Sequence, residues 1–405
     1  MTYAPMTQDA VPAHVPPSLV FDYDYVDDPR LQPDLHEGLR TLIAEAPPIF
    51  YTPRHGGHWV ATSQQAIYDL MREPQVFSSS KMTLGGDKQE FIGIPINLDP
   101  PEHTVYRAPL SLAFSPKNMS ALDGAIRAFI RELIDKVLAA GHCEFVHSVA
   151  EPLPVTIFMK LMGLPLDRLD EFRVWAVRSM ATPDPAERDA YFAKIIGAMS
   201  EIILLRMQKR EDDLISRLLE IKVHDRTPTL EEMQSYCFLL FLGGLDTVVN
   251  AMCFGIRHLA QDPTLQARLR AEPGLIPDAV EELLRRYGIS TPCRVVLHDH
   301  EYAGVPFKTG DMVMMHLQAA NLDPKAFPKP ENVDLGRPNA NAHYTFGAGP
   351  HRCAGSHLAR LELKILYQEW LQRVPEFRLD PQHPAQFHAG MILTVASLPL
   401  VWERP

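Results

Sequence analysis

The sequence predicts a mainly α fold with a smaller β-rich region. Amphipathic helical patterning runs through most of residues 118–225 and resumes from Leu230 to about Ala260. Alternating β-branched and aromatic residues, which are typical of half-buried strands, occur in short runs such as 58–62 and 293–315. Because these runs lie on either side of the helical part, we expect both ends of the chain to contribute to the β-rich region.

Length and composition exclude several classes of protein. The chain has 405 residues with 46% hydrophobic content and no composition break that marks a linker, so one domain spanning 1–405 is expected. A net charge of −11 argues against nucleic acid or an anionic membrane as a partner. Residues 1–17 lack an apolar signal core, the apolar run 236–242 is too short to span a bilayer, and the five cysteines are scattered. These features predict a cytoplasmic protein.

The first hundred residues predict an arm, two helices, a strand and an apolar loop. Proline-rich residues 1–34 predict an extended arm, which a helix over 35–46 follows. A strand is predicted over 58–62 and a helix over 63–73. Residues 80–98 are irregular and apolar, so this loop either packs on the core or lines a binding cavity.

A long helix is predicted in the second half of the chain. Thr229 and Glu232 have the spacing of a capping box, which marks a helix start. The helical pattern then continues to about residue 260, on the order of 45 Å at 1.5 Å per residue, which is enough to cross the molecule.

Four weak helix formers interrupt this apolar helix. Two of them, Gly243 and Gly244, each cost about 1 kcal/mol relative to alanine, and Asp246 and Thr247 follow directly. One interpretation is tight helix packing at the glycines, with Thr247 bonded back to a carbonyl. The other is a helix locally opened to hold a small ligand.

Residues 346–355 hold three glycines and one cysteine, directly before a predicted helix over 356–373. Glycines let a backbone pass close to a flat ligand, and a cysteine before a helix lies where amide dipoles favour its thiolate. A thiolate flanked by His351 and Arg352 suits metal ligation. A zinc site is less favoured, because zinc needs about four ligands and no Cys-x-x-Cys motif lies nearby. A helix-capping loop with an incidental cysteine is the alternative.

The pattern Phe346-Gly-x-Gly-x-His-x-Cys353-x-Gly355 resembles the haem-binding signature of the cytochrome P450 family. The resemblance covers nearly the whole chain, from His14 to Trp402. It implies the P450 fold, haem b (iron protoporphyrin IX) as the cofactor, and the thiolate of Cys353 as the iron ligand. The cofactor-binding residues that it implies are Cys353, Phe346, His351, His103, Arg107, Arg294, Gly243 and Gly244.

Two of these residues, His103 and Arg107, are four apart and share one face of a predicted helix. Spacing alone leaves a solvated polar face as an alternative. The resemblance implies that both contact a haem propionate, and that Arg294 and His351 provide further propionate contacts. Arginine suits this role because its planar fork donates two parallel hydrogen bonds to a carboxylate.

The segment Gly243 to Asn250 is similar to the oxygen-binding groove of the camphor-hydroxylating members of the family. This likeness implies that Thr247 hydrogen-bonds the reacting oxygen and that Asp246 relays protons from solvent. The implied reaction is hydroxylation of an apolar molecule by O2, two electrons and two protons.

Two charged clusters occur away from these motifs. Glu282 and Arg285 are three apart and by themselves predict a surface ion pair, whereas the resemblance implies a buried structural network that also includes Arg337. The cluster 298–301, between strands predicted at 295–297 and 302–305, suggests either a metal site or, as we expect, a solvated turn.

The predicted substrate pocket is apolar, and the residues expected to line it are Phe91, Leu239, Leu242, Ser290 and Ile392. Phe91 lies where the camphor enzymes carry a tyrosine, and Pro292 replaces an acid beside Arg294. These departures favour a terpenoid or norisoprenoid ring, such as an ionone, over camphor. Camphor hydroxylation, a peroxide-driven peroxygenase and a haem-based sensor are the alternatives, and the Asp246–Thr247 pair argues against the peroxygenase.

Electrons are expected from a separate protein because the chain has no flavin- or nicotinamide-binding segment. The resemblance implies a 2Fe–2S ferredoxin with an NADH-dependent ferredoxin reductase. Arg352, beside the thiolate, is the expected docking charge, since small electron-transfer interfaces rely on charge for steering. No nucleic acid and no membrane are expected as partners.

Overall fold

The computed structural model describes residues 11–82, 84, 93–182 and 184–404. The helices are, in chain order, α1 (Leu35–Glu45), α2 (Gln64–Leu70), α3 (Glu102–Ala113), α4 (Pro116–Ser120), α5 (Asp123–Leu138), α6 (Pro152–Met162), α7 (Leu169–Ala181), α8 (Pro185–Gln208), α9 (Leu214–Leu219), α10 (Leu230–Gln261), α11 (Pro263–Ala271), α12 (Ile276–Arg286), α13 (Leu317–Asn321) and α14 (Ser356–Arg373). The strands are β1 (Ile49–Thr52), β2 (His58–Ala61), β3 (Phe77–Ser78), β4 (His142–Glu144), β5 (Cys293–Val296), β6 (His300–Tyr302), β7 (Val305–Phe307), β8 (Met312–Met315), β9 (Phe377–Leu379), β10 (Gln386–His388), β11 (Thr394–Ser397) and β12 (Pro399–Trp402). The predicted mainly α fold with a smaller β-rich region is confirmed.

The largest sheet joins early and late parts of the chain. Its strand order is β1-β2-β8-β5-β3. β2 pairs with β8 in parallel, with Trp59 opposite Val313, and the other neighbours pair antiparallel. A second sheet has the order β4-β12-β9, and two hairpins, β6-β7 and β10-β11, complete the β-rich region. Early strands thus meet late ones, as expected from the sequence.

The helix α10 runs between two apolar cores. Its start is the predicted capping box, in which Thr229 Oγ1 accepts from the amide of Glu232 at 3.2 Å and the Glu232 carboxylate accepts from the amide of Thr229 at 2.7 Å. One core contains Met252 and Trp370, and the other contains Phe238. Fully burying a side chain of this size contributes about 1.5–3 kcal/mol, so the packing of both faces stabilises α10 despite its two glycines.

Among the described residues, α10 alone has the length and apolarity that could cross a membrane. In its most apolar window, 53% of the residues are buried inside the protein. The core helix of a soluble protein meets the same test, so packing in the two cores accounts for the apolar composition of α10.

The structure differs from the sequence prediction between β5 and β8. Residues 302–305 were expected to form one strand, but Ala303 and Gly304 have φ angles of 51° and 80° and form the turn between β6 and β7. His300 consequently lies in a strand rather than in the expected solvated turn. Among the described residues, no group of three or more His, Cys, Asp or Glu side chains is placed to hold a metal ion, so the metal alternative at 298–301 has no ligand set.

The described part of the N-terminal arm is packed along the largest sheet. Val20 forms a parallel β-bridge with Tyr51, and His14 Nε2 lies 3.0 Å from Asp311 Oδ2. The indole N–H of Trp59 donates to the same carboxylate at 2.8 Å. The arm therefore covers the β1 side of the sheet.

Candidate active site

The loop before α14 has a backbone that only glycine adopts easily. Gly347 and Gly349 have φ angles of 69° and 65°. A Cβ at Gly349 would lie 2.5 Å from the carbonyl oxygen of Met71, so a side chain would also collide there. The amide of Cys353 donates to the carbonyl of Phe346 at 2.8 Å and closes the loop. This geometry fixes Cys353 three residues before the first residue of α14.

Cys353 has a different environment from the other cysteines of the described residues. Its side chain is exposed, whereas those of Cys143, Cys237, Cys253 and Cys293 are buried. Desolvation by the surrounding protein raises the pKa of the Cys353 thiol overall, and the Gly355 amide and the Arg107 and Arg352 guanidinium groups offset part of that rise. An accessible sulfur with cations around it is suited to bind a metal as the thiolate.

Four basic side chains predicted to hold carboxylates converge beside this loop. The rings of His103, on α3, and His351 have centroids 4.2 Å apart, and the charge of Arg294 acts on both rings. Arg107, one turn after His103, donates to the carbonyl of Arg352. The structure therefore brings together groups from α3, β5 and the Cys353 loop.

These basic groups lack a bonded carboxylate among the described residues. Arg294 is 2% exposed and donates to its neighbour's carbonyl at 2.7 Å, and the Nε2 atoms of His103 and His351 are buried with no hydrogen-bond partner. Burial lowers the pKa of Arg294 to about 10, that of His103 to about 4 and that of His351 to about 2. Buried donors without acceptors are costly, so the site fits a ligand that carries carboxylates.

The middle of α10 borders open space. Gly243 and Gly244 are exposed although α10 lies between two cores. A Cβ at Gly243 would have no heavy atom within 4 Å, and one at Gly244 would meet only Phe158 Cδ2, at 3.7 Å. Tight packing at these glycines, one of the two interpretations, is therefore wrong.

The predicted local opening of α10 is also not observed. The helix is continuous from Leu230 to Gln261. Thr247 Oγ1 donates to the carbonyl of Gly243 at 3.1 Å, so the back-bond that the packing interpretation included is confirmed. The open space lies beside the helix, because glycine side chains are absent there, rather than in a break of its backbone.

Asp246 is held by one neighbour on the next turn. The amide nitrogen of Asn250 donates to the carbonyl oxygen of Asp246 at 2.9 Å and to its Oδ1 at 3.1 Å. Burial raises the pKa of the Asp246 carboxyl, the bond from Asn250 lowers it, and the charge of Glu151 raises it further. A carboxyl with a raised pKa exchanges protons closer to neutral pH than an ordinary aspartate.

The predicted pocket residues that are described are all half-buried. Leu239 and Leu242 precede Gly243 on α10, and Ser290 and Ile392 face each other in an isolated β-bridge. Phe91 lies outside the described residues. The structure thus joins Ser290 to Ile392 and places the two leucines beside the exposed glycines.

Comparisons with known proteins agree with this geometry. A family model described as Cytochrome P450 matches residues 183–399. The chain belongs to the cytochrome P450 family. The Probable cytochrome P450 127A1 of Sinorhizobium fredii is 33% identical over 402 residues, and the alignment covers 97% of this chain and 97% of that protein. The Steroid C26-monooxygenase of Mycobacterium tuberculosis is 30% identical over 84% of this chain and 94% of its own.

Solved structures of the family share the whole fold. The crystal structure of CYP101J2 has a TM-score of 0.91 and 35% identity, covering 98% of this chain and all of its own. That of CYP101C1 has a TM-score of 0.90 and 33% identity, covering 97% of this P450. The likeness to this camphor-hydroxylase-like group, stated from the sequence, is confirmed.

The protein is accordingly a cytochrome P450 monooxygenase with haem b as its cofactor. The residues fit this group: an accessible thiol, glycines that leave open space, and two buried histidines, His103 and His351, whose Nε2 atoms have no hydrogen-bond partner. Haem b supplies the redox chemistry by which a P450 activates O2.

The predicted network of Glu282, Arg285 and Arg337 is fully formed and buried. Two nitrogens of Arg285 each donate to the Glu282 carboxylate at 2.9 Å, and Arg337 Nε donates to it at 2.7 Å. The Glu282 and Arg285 side chains are 0% exposed. The surface ion pair that spacing alone predicted is therefore wrong, and Arg285 also ties three carbonyls, those of Asn321, Pro330 and Asn332, to α12.

Sequence reasoning missed a second ion pair that supports the Cys353 loop. Arg360, on α14, donates to the Glu281 carboxylate at 2.5 and 2.9 Å and lies 4.5 Å from the ring centroid of Phe346. His343 Nε2 is 3.3 Å from the same carboxylate. Together these contacts lower the pKa of Glu281 to about 2, despite burial that opposes the shift. The only signal in the sequence was a second glutamate beside Glu282, which spacing does not connect to α14.

A surface cavity of about 460 Å³ lies elsewhere, between the second sheet and the β10-β11 hairpin. His142, Asp380 and His383 are among its lining residues. It contains none of the predicted site residues and plays no part in the site.

Proposed function

We propose that this P450 hydroxylates an apolar cyclic substrate of the terpenoid or norisoprenoid type, such as an ionone. The observation that carries the proposal is the apolar character of the residues beside the exposed glycines. Leu239, Leu242 and Ile392 are half-buried, and Ser290 is the one polar side chain among the described pocket residues. A pocket with so little polar anchoring favours ligands that bury carbon. The naming of one relative as a steroid C26-monooxygenase supports an apolar ring system.

In this proposal the haem is held by the Cys353 thiol and by the four basic side chains that lack a bonded carboxylate among the described residues. Cys353 provides the thiolate ligand of the iron, and Phe346 belongs to the loop that supports it. Arg294, Arg107, His103 and His351 bind the propionates, which supply acceptors for their buried donors. The exposed glycines of α10 would leave space beside the helix for O2.

Proton delivery is assigned to Thr247 and Asp246. The Thr247 hydroxyl borders the exposed glycines, and among the described residues it donates to the Gly243 carbonyl. Rotation of this hydroxyl can direct its proton towards the reacting oxygen. Asp246, with its raised pKa, holds and replaces that proton one residue away.

Electrons are proposed to come from a 2Fe–2S ferredoxin reduced by an NADH-dependent reductase, in the cytoplasm. Arg352 is exposed directly beside Cys353. Leu112, five residues after Arg107 on α3, is 72% exposed. An exposed arginine beside the iron ligand suits docking of a small acidic partner, because charge steers such weak electron-transfer encounters.

Spectral titration and turnover test the proposal. Ionones should shift the haem to high spin at lower concentrations than camphor, and product should form with O2, NADH and a surrogate ferredoxin pair. Product formed with peroxide alone, and none with the ferredoxin pair, would support a peroxygenase instead. Ligand binding without turnover under either condition would support a sensor.

A further inference from the structure

Asn250 is a buried amide whose polar atoms are all used. Its side chain is 1% exposed on α10. Its nitrogen donates to the backbone and to the side chain of Asp246 at 2.9 and 3.1 Å, while its oxygen accepts from the amide of Val395 at 2.7 Å. The orientation of the amide is thereby fixed from both ends, and so is the Asp246 carboxylate oxygen that it contacts.

The strand on the far side of Asn250 is connected to the substrate pocket. Val395 lies in β11, three residues after Ile392. The segment before it is bonded to residues 289–291, because the amide of Leu393 donates to the carbonyl of Ile289 at 2.9 Å and the amide of Thr291 donates to the carbonyl of Met391 at 2.8 Å. One short backbone segment thus forms a pocket wall and supports the residue that holds Asp246.

We propose that Asn250 is a positioning residue that holds the Asp246 carboxyl in one orientation for proton transfer. The bond from the Val395 amide, in β11, fixes Asn250 in turn. The inference rests on the proposed proton-relay role of Asp246. A helix-forming apolar residue would be the better choice for an interior position of α10 if no polar contact were needed. An amide at this position can donate to the carboxyl and accept from the strand at the same time, which no apolar side chain can do.

The titration of Asp246 has few other influences in the described structure. Glu151, which precedes α6, raises the pKa of Asp246, and the Cys253 thiol on α10 interacts with it. The hydrogen bond from Asn250 is the one contact that favours the charged carboxylate. Losing this donor should therefore move the titration of Asp246 to higher pH.

Two variants distinguish a role of Asn250 in positioning the Asp246 carboxyl from a role only in anchoring strand β11. Asn250→Leu removes both the donor and the acceptor. Asn250→Asp keeps an oxygen for the Val395 amide but replaces the donor with a carboxylate that repels Asp246. The matched control is Gln266→Glu, since the buried Gln266 amide donates to the carbonyls of Leu259 and Phe377 and anchors strand β9 in the same manner.

The test uses the holoenzyme with O2, NADH and a surrogate ferredoxin pair, and it has two readouts. The first is product formed per NADH as a function of pH. The second, independent of turnover, is the infrared band of the protonated carboxyl of Asp246, assigned by its loss in Asp246→Asn. We expect its titration midpoint to rise by about one pH unit in Asn250→Leu, the shift for a lost hydrogen bond to a charged group. In Asn250→Asp the midpoint should rise further, and the pH dependence of product formed per NADH should shift in the same direction. Gln266→Glu should change neither the midpoint nor this pH dependence.

The other possible results contradict either the positioning role of Asn250 or the relay role of Asp246. Unchanged midpoints in both Asn250 variants, when Asp246→Asn loses coupling, would overturn the positioning role alone. Full coupling in Asp246→Asn would overturn the relay role of Asp246 and this inference with it. If Asn250→Leu fails to bind haem, Asn250→Asp, which has the same shape as the native residue, decides between these outcomes.

Discussion

Glutamate 282 offers the sharpest test of how the fold supports the site. The substitution Glu282→Gln keeps the shape of the side chain but removes the charge that neutralises Arg285 and Arg337. The Glu282 carboxylate accepts from both arginines and from the amide of Asp334 at distances of 2.7 to 3.0 Å. Because Arg285 is 0% exposed, water cannot replace the lost partner.

The expected loss follows from this burial. Removing one partner of a buried ion pair costs about 3–5 kcal/mol, since the remaining charge is left buried and unpaired. The matched control is Glu132→Gln, which breaks an exposed pair: the Glu132 side chain is 58% exposed and that of its partner Lys136 is 61% exposed. An exposed pair of this kind contributes about 0–1 kcal/mol.

Urea unfolding of the haem-loaded protein, followed by tryptophan fluorescence, measures both losses. The midpoint should fall far more for Glu282→Gln than for Glu132→Gln, with equal slopes, so that the difference reports stability. Equal losses in the two variants would refute the argument that burial gives the network its importance.

Three further predictions concern acid stability, coupling and the pocket. Away from the candidate site, burial also lowers the pKa to about 3 for His36 and to about 4 for His58, His258 and His316, against an ordinary value of 6.5. Below pH 6.5 the unfolded chain binds protons that the folded protein excludes, so the free energy of unfolding should fall by up to about 1.4 kcal/mol per pH unit for each histidine until about pH 4. Urea midpoints measured from pH 7 to pH 4 check this, and flat midpoints would contradict it. Thr247→Ala should keep substrate affinity but lower the product formed per NADH and raise peroxide, and unchanged coupling would mean that another group delivers the proton. Camphor should bind the wild type more weakly than ionones in spectral titrations, because an unmet carbonyl costs about 1–3 kcal/mol, and Phe91→Tyr should recover part of that affinity. Tighter binding of camphor than of every ionone would overturn the proposed pocket.

Local patterns in the sequence predicted the supports of the site well. The capping box at Thr229 and the helix over 356–373 both occur as predicted, because caps and helical periodicity act over a few residues. Gly347 and Gly349, two of the three glycines of the Cys353 loop, likewise have the positive φ angles that only the lack of a side chain allows at low cost.

Features that depend on contacts between distant residues were harder to predict. The predicted 302–305 strand was wrong because Ala303 and Gly304 both have positive φ and form a hairpin turn. Gly304 was a turn signal, but alanine at position 303 is not a residue that favours positive φ. The burial of Glu282 was not visible from its i+3 spacing to Arg285, and the pairing of Glu281 with Arg360 spans 79 residues. The bond from Val395 to Asn250 joins β11 to α10, and no periodicity in either element indicates it.

The central claim is that Cys353 alone provides the thiolate ligand of the haem, and the spectrum of the reduced carbon monoxide complex tests it most directly. The wild-type protein should show the red-shifted Soret band of a thiolate-bound haem. Cys353→His should lose this band, while Cys293→Ser, which alters a buried cysteine beside Arg294, should keep it. A thiolate band that persists in Cys353→His would contradict the account.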